Sequence, residues 1–137
     1  PLEDTFTGET LYQITQQRRC SIKALIMNSH LIVGVGNIYA TEALFISKIS
    51  PTTLAHRLTR KRCEKLVSAI KAVLNHAIDL GGTTLKDFRN SDGKPGYFSQ
   101  QLLVYGKAGQ ACPNCNKTLT LITQQQRSTT YCTNCQR

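Results

Sequence analysis

Residues 112–115 read "CPNC" and residues 132–135 read "CTNC", with sixteen residues between the two pairs. Each Cys-x2-Cys pair lets two thiolates turn toward one ion, and two such pairs close a tetrahedral shell that leaves no position for water. The spacing therefore predicts one structural zinc ion held by Cys112, Cys115, Cys132 and Cys135, in preference to a redox pair or a disulfide framework. A tail of some 37 residues carries too little apolar material to fold unaided, so the metal must supply much of its folding free energy. Within the tail, "TLTLIT" and "STTYC" can pair as a hairpin across "QQQR", which puts Arg127 at or near the tip.

The 137 residues suffice for one modest domain with an appended module. We place the boundary at about residue 100, with 1–100 helical and 101–137 the metal module. No run approaches the roughly 18 to 20 apolar residues of a membrane helix, and "PLEDTFTGET" has neither the basic end nor the apolar stretch of a signal peptide. A cytoplasmic chain with no membrane partner is expected. Its formal charge is +9, and after Asp92 no acid occurs while Lys94, Lys107, Lys117, Arg127 and Arg137 follow. Four thiolates and one divalent ion remove only two of those charges. Such a field is the footprint of a polyanion, because neutralising phosphates releases condensed counterions. Cys20 and Cys63 stand outside the metal pattern, in stretches that read as helical, and are expected on or near packed faces.

Four helices are predicted before the tail. Thr7 can cap a segment running to about Gln17, with Leu11, Ile14 and Thr15 on one face. Ser21 to Met27 repeats Ile22, Leu25 and Ile26 at helical spacing. A third helix is expected from Ile38 to about Ser47, capped by Asn37. The longest should run from the cap Thr59 to Gly81 and Gly82, along a stripe of Leu66, Ile70, Val73, Leu74, Ala77 and Ile78. Its first turn carries Arg60, Lys61 and Arg62, the unfavourable end for cations by the helix dipole. Residues 83–100, "TTLKDFRNSDGKPGYFSQ", lose periodicity and read as a mobile basic loop. "QLLVYG" then reads as a strand leading into the metal segment.

The stretch "LIVGVGNIYATEALF", residues 31–45, sets two glycines before a helix. A dinucleotide fingerprint would need a third glycine and a preceding strand, and this stretch has neither. A glycine-permitted turn at a helix N-terminus instead exposes backbone N–H groups to an anion, and Asn37 adds a side-chain donor. The expected unit is a helix, two turns and a second helix whose N-terminus meets a phosphate.

Taken together, "IKALIMNSHLIVGVGNIYATEALF", "GGTTLKDFRNSDGKPGYF", "VYGKAGQACPNC" and "QRSTTYCTNCQR" resemble the C-terminal half of bacterial formamidopyrimidine-DNA glycosylase. That resemblance implies a mainly α fold, a helix-two-turn-helix bundle followed by a small β-hairpin zinc ribbon. It implies a bifunctional DNA glycosylase and abasic-site lyase in base excision repair of oxidised purines such as 8-oxoguanine. By motif match, Lys23, Gly36, Asn37, Tyr105 and Arg127 would contact DNA. Lys86, Arg89, Lys94 and Tyr97 would belong to a loop over the extruded base. Double-stranded DNA with oxidised purines or abasic sites would be the partner, bound by a monomer in the bacterial nucleoid. The family's nucleophile is an N-terminal proline followed by glutamate, in a β-rich domain. Here Pro1-Leu2-Glu3 leads straight into the helical half, and "PLEDTF" matches the segment joining the family's two domains. Pro1 is therefore read as an internal residue, and no catalytic residue is assigned to this chain. The rival expectation is a free-standing zinc-ribbon module that binds nucleic acid or protein without any enzymatic activity.

Overall fold

A computed structural model describes residues 6–28, 31–32, 35–79, 102–124 and 126–137, and of 77–79 the backbone alone. The order is α1 (Gly8–Thr15), α2 (Ile22–Ile26), α3 (Asn37–Ile46), a 3-10 turn (Ala55–Arg57), α4 (Arg60–Asp79), β1 (Thr120–Gln124) and β2 (Arg127–Tyr131). No described helix is long and apolar enough to cross a membrane. The loop with Lys86, Arg89, Lys94 and Tyr97, the glycines at 81 and 82, and the side chains of Ala77 and Ile78 lie outside what is described.

Three of the four helix starts have a side-chain cap. Thr7 Oγ1 accepts from Thr10 N at 3.2 Å, Ser21 Oγ from Ala24 N at 3.2 Å, and Thr59 Oγ1 from Arg62 N at 3.2 Å. These bonds satisfy amide donors that a first turn leaves open. The first helix stops at Thr15, two residues short of the expected Gln17, with Gln16 as its C-cap. The third begins one residue earlier than expected. Gly36 holds the cap position without a side-chain bond and Asn37 is the first helical residue, because the Asn37 amide is engaged elsewhere.

Helices α1, α2, α3 and α4 share one apolar core, from Phe6, Leu11, Ile22 and Leu25 through Ala43 and Leu44 to Leu66, Ile70 and Val73. Gly8 lets α1 approach α4: a Cβ there would lie 2.4 Å from Glu64 Cγ and 2.7 Å from Glu64 Cα. The third helix is enclosed on almost every side, with Tyr39 through Phe45 all buried. Such a helix belongs between two layers, and Phe45 indeed leaves the main core for a second one with Val104, Cys112, Leu119 and Cys132. It ends on Lys48 at φ 61°, where Ile49 N bonds Leu44 O and Lys48 N bonds Phe45 O, a left-handed cap usually given to glycine. Cys63 is buried in the helical core, which pushes its thiol pKa up, whereas Cys20 is exposed, against expectation. The Cys20 backbone sits in a connecting turn and its carbonyl accepts from Ala55 N.

Strands β1 and β2 form an antiparallel pair in the register Thr120↔Tyr131 to Gln124↔Arg127, and Gln126, just before β2, has φ 66°. The expected strand over "QLLVYG" does not form in its described part, 102–106. Its amides have another acceptor. Leu103 N donates to Glu42 Oε1 at 2.6 Å, and Val104 N and Tyr105 N both donate to Glu42 Oε2 at 2.9 Å. Three consecutive donors turned onto one buried carboxylate curl the chain, and a curled chain cannot build a ladder.

Candidate nucleic-acid interface and metal centre

The metal centre is built from two matching turns. After Cys112, Asn116 N returns to the Cys112 carbonyl at 2.9 Å and Asn114 N reaches Cys112 Sγ at 3.4 Å. After Cys132, Gln136 N returns to the Cys132 carbonyl at 3.0 Å and Cys135 N reaches Cys132 Sγ at 3.4 Å. The turns bring all four sulfurs within 4.8 Å of one another, with Cys112 and Cys135 3.9 Å apart and Cys115 and Cys132 3.5 Å apart. Thiolates each about 2.3 Å from one tetrahedral zinc stand roughly 3.8 Å from one another. The cluster fits one zinc ion. The thiols alone are in conflict: Cys115 is held down at about 6 by the Lys117 amide and the Asn134 side chain, while desolvation and the neighbouring thiols push Cys135 up to about 12. A divalent cation removes that conflict by favouring all four thiolates.

The module is fixed to the helices by polar contacts. Gln136 is buried; its Nε2 donates to Ile49 O and its Oε1 accepts from Cys132 N, both at 2.9 Å. Arg62 donates to the carbonyls of Lys48 and Arg137, and Arg137 N donates to Lys48 O at 3.2 Å. Gln124 Nε2 donates to Pro51 O at 3.2 Å. With Glu42, these bonds orient the hairpin against the N-terminal end of α3.

There the sequence-derived site residues converge. Lys23, from α2, is only 2% exposed, and its Nζ donates to Asn37 Oδ1 at 2.5 Å and to Thr129 Oγ1 at 2.5 Å. Asn37 Nδ2 donates in turn to Ser128 O at 3.0 Å. Two helices and a strand thus meet on one buried ammonium group. Burial, and then the like charge of Arg127, lower the Lys23 pKa to about 8. Lys23 and Arg127 face a common pocket of about 360 Å³, also lined by Cys20, Ala24, Met27 and Gln124. No acid is among its lining residues, so the field inside it is positive.

Lys23, Asn37 and Arg127 are brought together, and Gly36 immediately precedes Asn37 with open space where a Cβ would stand. Tyr105 is positioned by a different network, its amide on Glu42 and its half-buried ring against the helical core. Sequence reasoning missed Glu42, Thr129 and Gln136. A lone acid inside the apolar run "ATEALF" is the one signal that marked Glu42 in advance.

Comparison with known proteins gives a consistent picture. The family described as formamidopyrimidine-DNA glycosylase H2TH domain matches residues 1–89, and the zinc finger found in FPG and IleRS matches residues 109–137. The formamidopyrimidine-DNA glycosylase of Teredinibacter turnerae is 54% identical over 136 residues, and that of Marinobacter nauticus 53% over 137. The chain is covered to 99% and 100%, but it spans only about half of the relatives' length, 50% and 51%. Among solved structures, MutM (Fpg) from Thermus thermophilus matches with a TM-score of 0.88 at 38% identity, covering 99% of this chain and 52% of that one. Lactococcus lactis Fpg in complex with abasic-site DNA matches at 0.85 and 30%, covering 96% and 48%.

Proposed function

The chain belongs to the formamidopyrimidine-DNA glycosylase family, and on that premise we propose that it is the duplex-gripping half of a base-excision enzyme for oxidised purines. Double-stranded DNA carrying such a lesion or an abasic site is its partner, met as a monomer at the nucleoid in the cytoplasm. One observation carries the reading: Lys23 of α2 and Arg127 of β2 line one cationic pocket, and Asn37 at the start of α3 accepts from Lys23 Nζ beside it. In this account α2 and α3 are the paired helices, residues 1–100 and 101–137 are the two units, and the pocket between them takes a backbone phosphate. A structure of MutM with DNA containing carbocyclic 8-oxo-G, similar to this chain at a TM-score of 0.83 and 30% identity, supports it.

The residues divide the work. Arg127 is exposed on the first position of β2 and offers its planar fork to a phosphate. Lys23 supplies charge from beneath while holding Asn37 and the hairpin in register. The open amides at the start of α3, after Gly36, add partial positive charge. Phosphate binding favours the charged form of Lys23, so ligand and ammonium group stabilise each other. Tyr105 approaches the backbone farther along, and Lys86, Arg89, Lys94 and Tyr97 form the loop over a flipped base. None of the residues named here is assigned glycosidic-bond cleavage or strand scission, and the chain spans about half the length of its relatives.

Duplex binding against salt tests this directly. With roughly three to five phosphates neutralised, log K falls against log salt with a slope of about −3 to −4. Arg127→Ala reduces that slope by about one unit, whereas Asn37→Ala weakens binding with the slope nearly unchanged. The 137-residue chain alone excises no 8-oxoguanine and gives no borohydride-trapped adduct on abasic DNA. Salt-independent affinity, or a stoichiometric adduct lost in Pro1→Gly, overturns the reading.

A further inference from the structure

The Arg60, Lys61 and Arg62 run at the start of α4 has no part in that site. Its members separate in the fold. Arg60 pairs with Glu9 at 3.2 Å and lies over the Tyr12 ring at 4.7 Å. Arg62 holds the carbonyls of Lys48 and Arg137. Lys61 instead faces a groove of about 620 Å³ between the last turn of α3 and the outer face of α4. Lys48 and Lys65 line the same groove, Glu64 is the one acid lining it, and Ile46, Ala69 and Ala72 give it an apolar floor. Ile46 and Ala72 also border a second depression of about 310 Å³, walled by Val73, Leu102 and Leu103 and lined as well by His76 and by Glu42, whose carboxylate is taken up by the amides of residues 103–105. The combined groove is cationic at one end and mainly apolar at the other.

Nothing among the described residues accounts for that arrangement. Lys48, Lys61 and Lys65 are all exposed, and among the described residues none is in an ion pair. Lys61 and Lys65 stand one helical turn apart and repel each other, and Lys61 adds charge to the positive end of the helix. Lys48 keeps a left-handed backbone at φ 61° that glycine adopts more readily. Ile46 is 45% exposed and Leu103 38%, two large apolar side chains left open beside a concavity. From Asn37 to Ile46 the helix rises about 14 Å, so this groove lies at the opposite end of α3 from the Lys23 and Arg127 pocket.

We infer that the groove is a docking surface for a partner protein, and that it takes an acidic segment flanked by large apolar side chains. The carboxylates meet Lys48, Lys61 and Lys65, and the apolar residues cover Ile46, Val73 and Leu103. A nucleic-acid backbone satisfies the first half of this surface and not the second. This inference stands apart from the proposed repair function and does not depend on it.

The test uses fluorescein-labelled peptides of four glutamates followed by two leucines and a phenylalanine, and of the reverse order, titrated by anisotropy with the zinc-loaded chain. The tighter peptide binds saturably at one per chain. A Lys61→Glu/Lys65→Glu double variant weakens it about tenfold or more, and Ile46→Ser about fivefold, by loss of charge complementarity and of apolar burial respectively. These residues are exposed, and unchanged zinc content and helicity certify the fold of each variant. Replacing the leucines and phenylalanine by serine weakens the peptide about tenfold. The inference fails if neither peptide binds, if the charge-reversed variant binds as well as the parent, or if the serine peptide binds equally. Displacement by duplex DNA assigns the groove to nucleic acid and overturns it too.

Discussion

From Phe6 to Leu74 the helical body gathers its apolar side chains into one core, closed at its edge by Leu102. The metal module has Val104, Leu119 and two of its own cysteines to bury, and borrows Phe45 from α3. One region excludes water by area, at roughly 25 cal/mol per Å² of apolar surface. The other closes its chain with a tetrahedron of sulfur and hangs the result on polar contacts, from Glu42 to Gln136. The difference teaches that the pocket at Lys23 depends on two separate sources of stability, because Lys23 and Asn37 belong to the body and Arg127 to the module.

Removing the metal breaks the comparison most severely. Structural zinc contributes on the order of 10 kcal/mol to modules of this size, so a chelator should abolish hydrogen-exchange protection of the β1 and β2 ladder. Helix α4 should keep its protection, and duplex affinity should fall to that of a chain without Arg127. Zinc analysis together with segment-resolved exchange checks the point; simultaneous loss of α4 would show that the two regions are one cooperative unit.

A smaller effect should come from the seam. Glu42→Gln keeps the shape but turns an amide NH2 toward backbone donors, leaving at least one of Leu103, Val104 and Tyr105 unsatisfied. Hydrogen bonds to charged groups are worth about 1.5–3 kcal/mol each. Denaturant unfolding should show a loss of that size, with zinc affinity lowered and the α1 and α4 contacts intact. An unchanged midpoint would mean that the carboxylate does not hold the module.

The smallest expected effect is in pH. Lys23 titrates at about 8 in the folded chain against an ordinary 10.5. Between those values the unfolded chain binds more protons, so stability should rise as pH increases from about 8 to 10.5. Duplex affinity should move the other way, falling as pH rises through about 8 and the ammonium charge is lost. The difference between the parent and Lys23→Met isolates both trends from the other titrating groups. Parallel trends would place the lowered pKa on another residue.

The readable parts of the fold were those fixed by neighbours in sequence. Thr7 and Thr59 cap their own third or fourth amides, the α4 stripe follows a 3.6-residue period, and Cys-x2-Cys closes on itself. The misread parts depend on partners far along the chain. "QLLVYG" has the composition of a strand, but its amides are taken by Glu42, some sixty positions earlier. Asn37 has the identity of a cap, yet its amide spans Lys23 and Ser128. Motif resemblance named Lys23, Asn37 and Arg127, which the fold places close together. The construction around them was not legible, because Thr129 and Gln136 look like ordinary polar residues of a hairpin until α2 and the turn after α3 are placed beside them.

Phe45 has a consequence for the order in which the chain is made. The four described α-helices lie within residues 8–79, so they can pack together before the first metal-binding cysteine, at 112, leaves the ribosome. Phe45 then waits on the finished bundle as an uncovered ring, and the module condenses around it when zinc is captured. In a cell short of zinc the product is a helical bundle whose Phe45 ring has lost its cover.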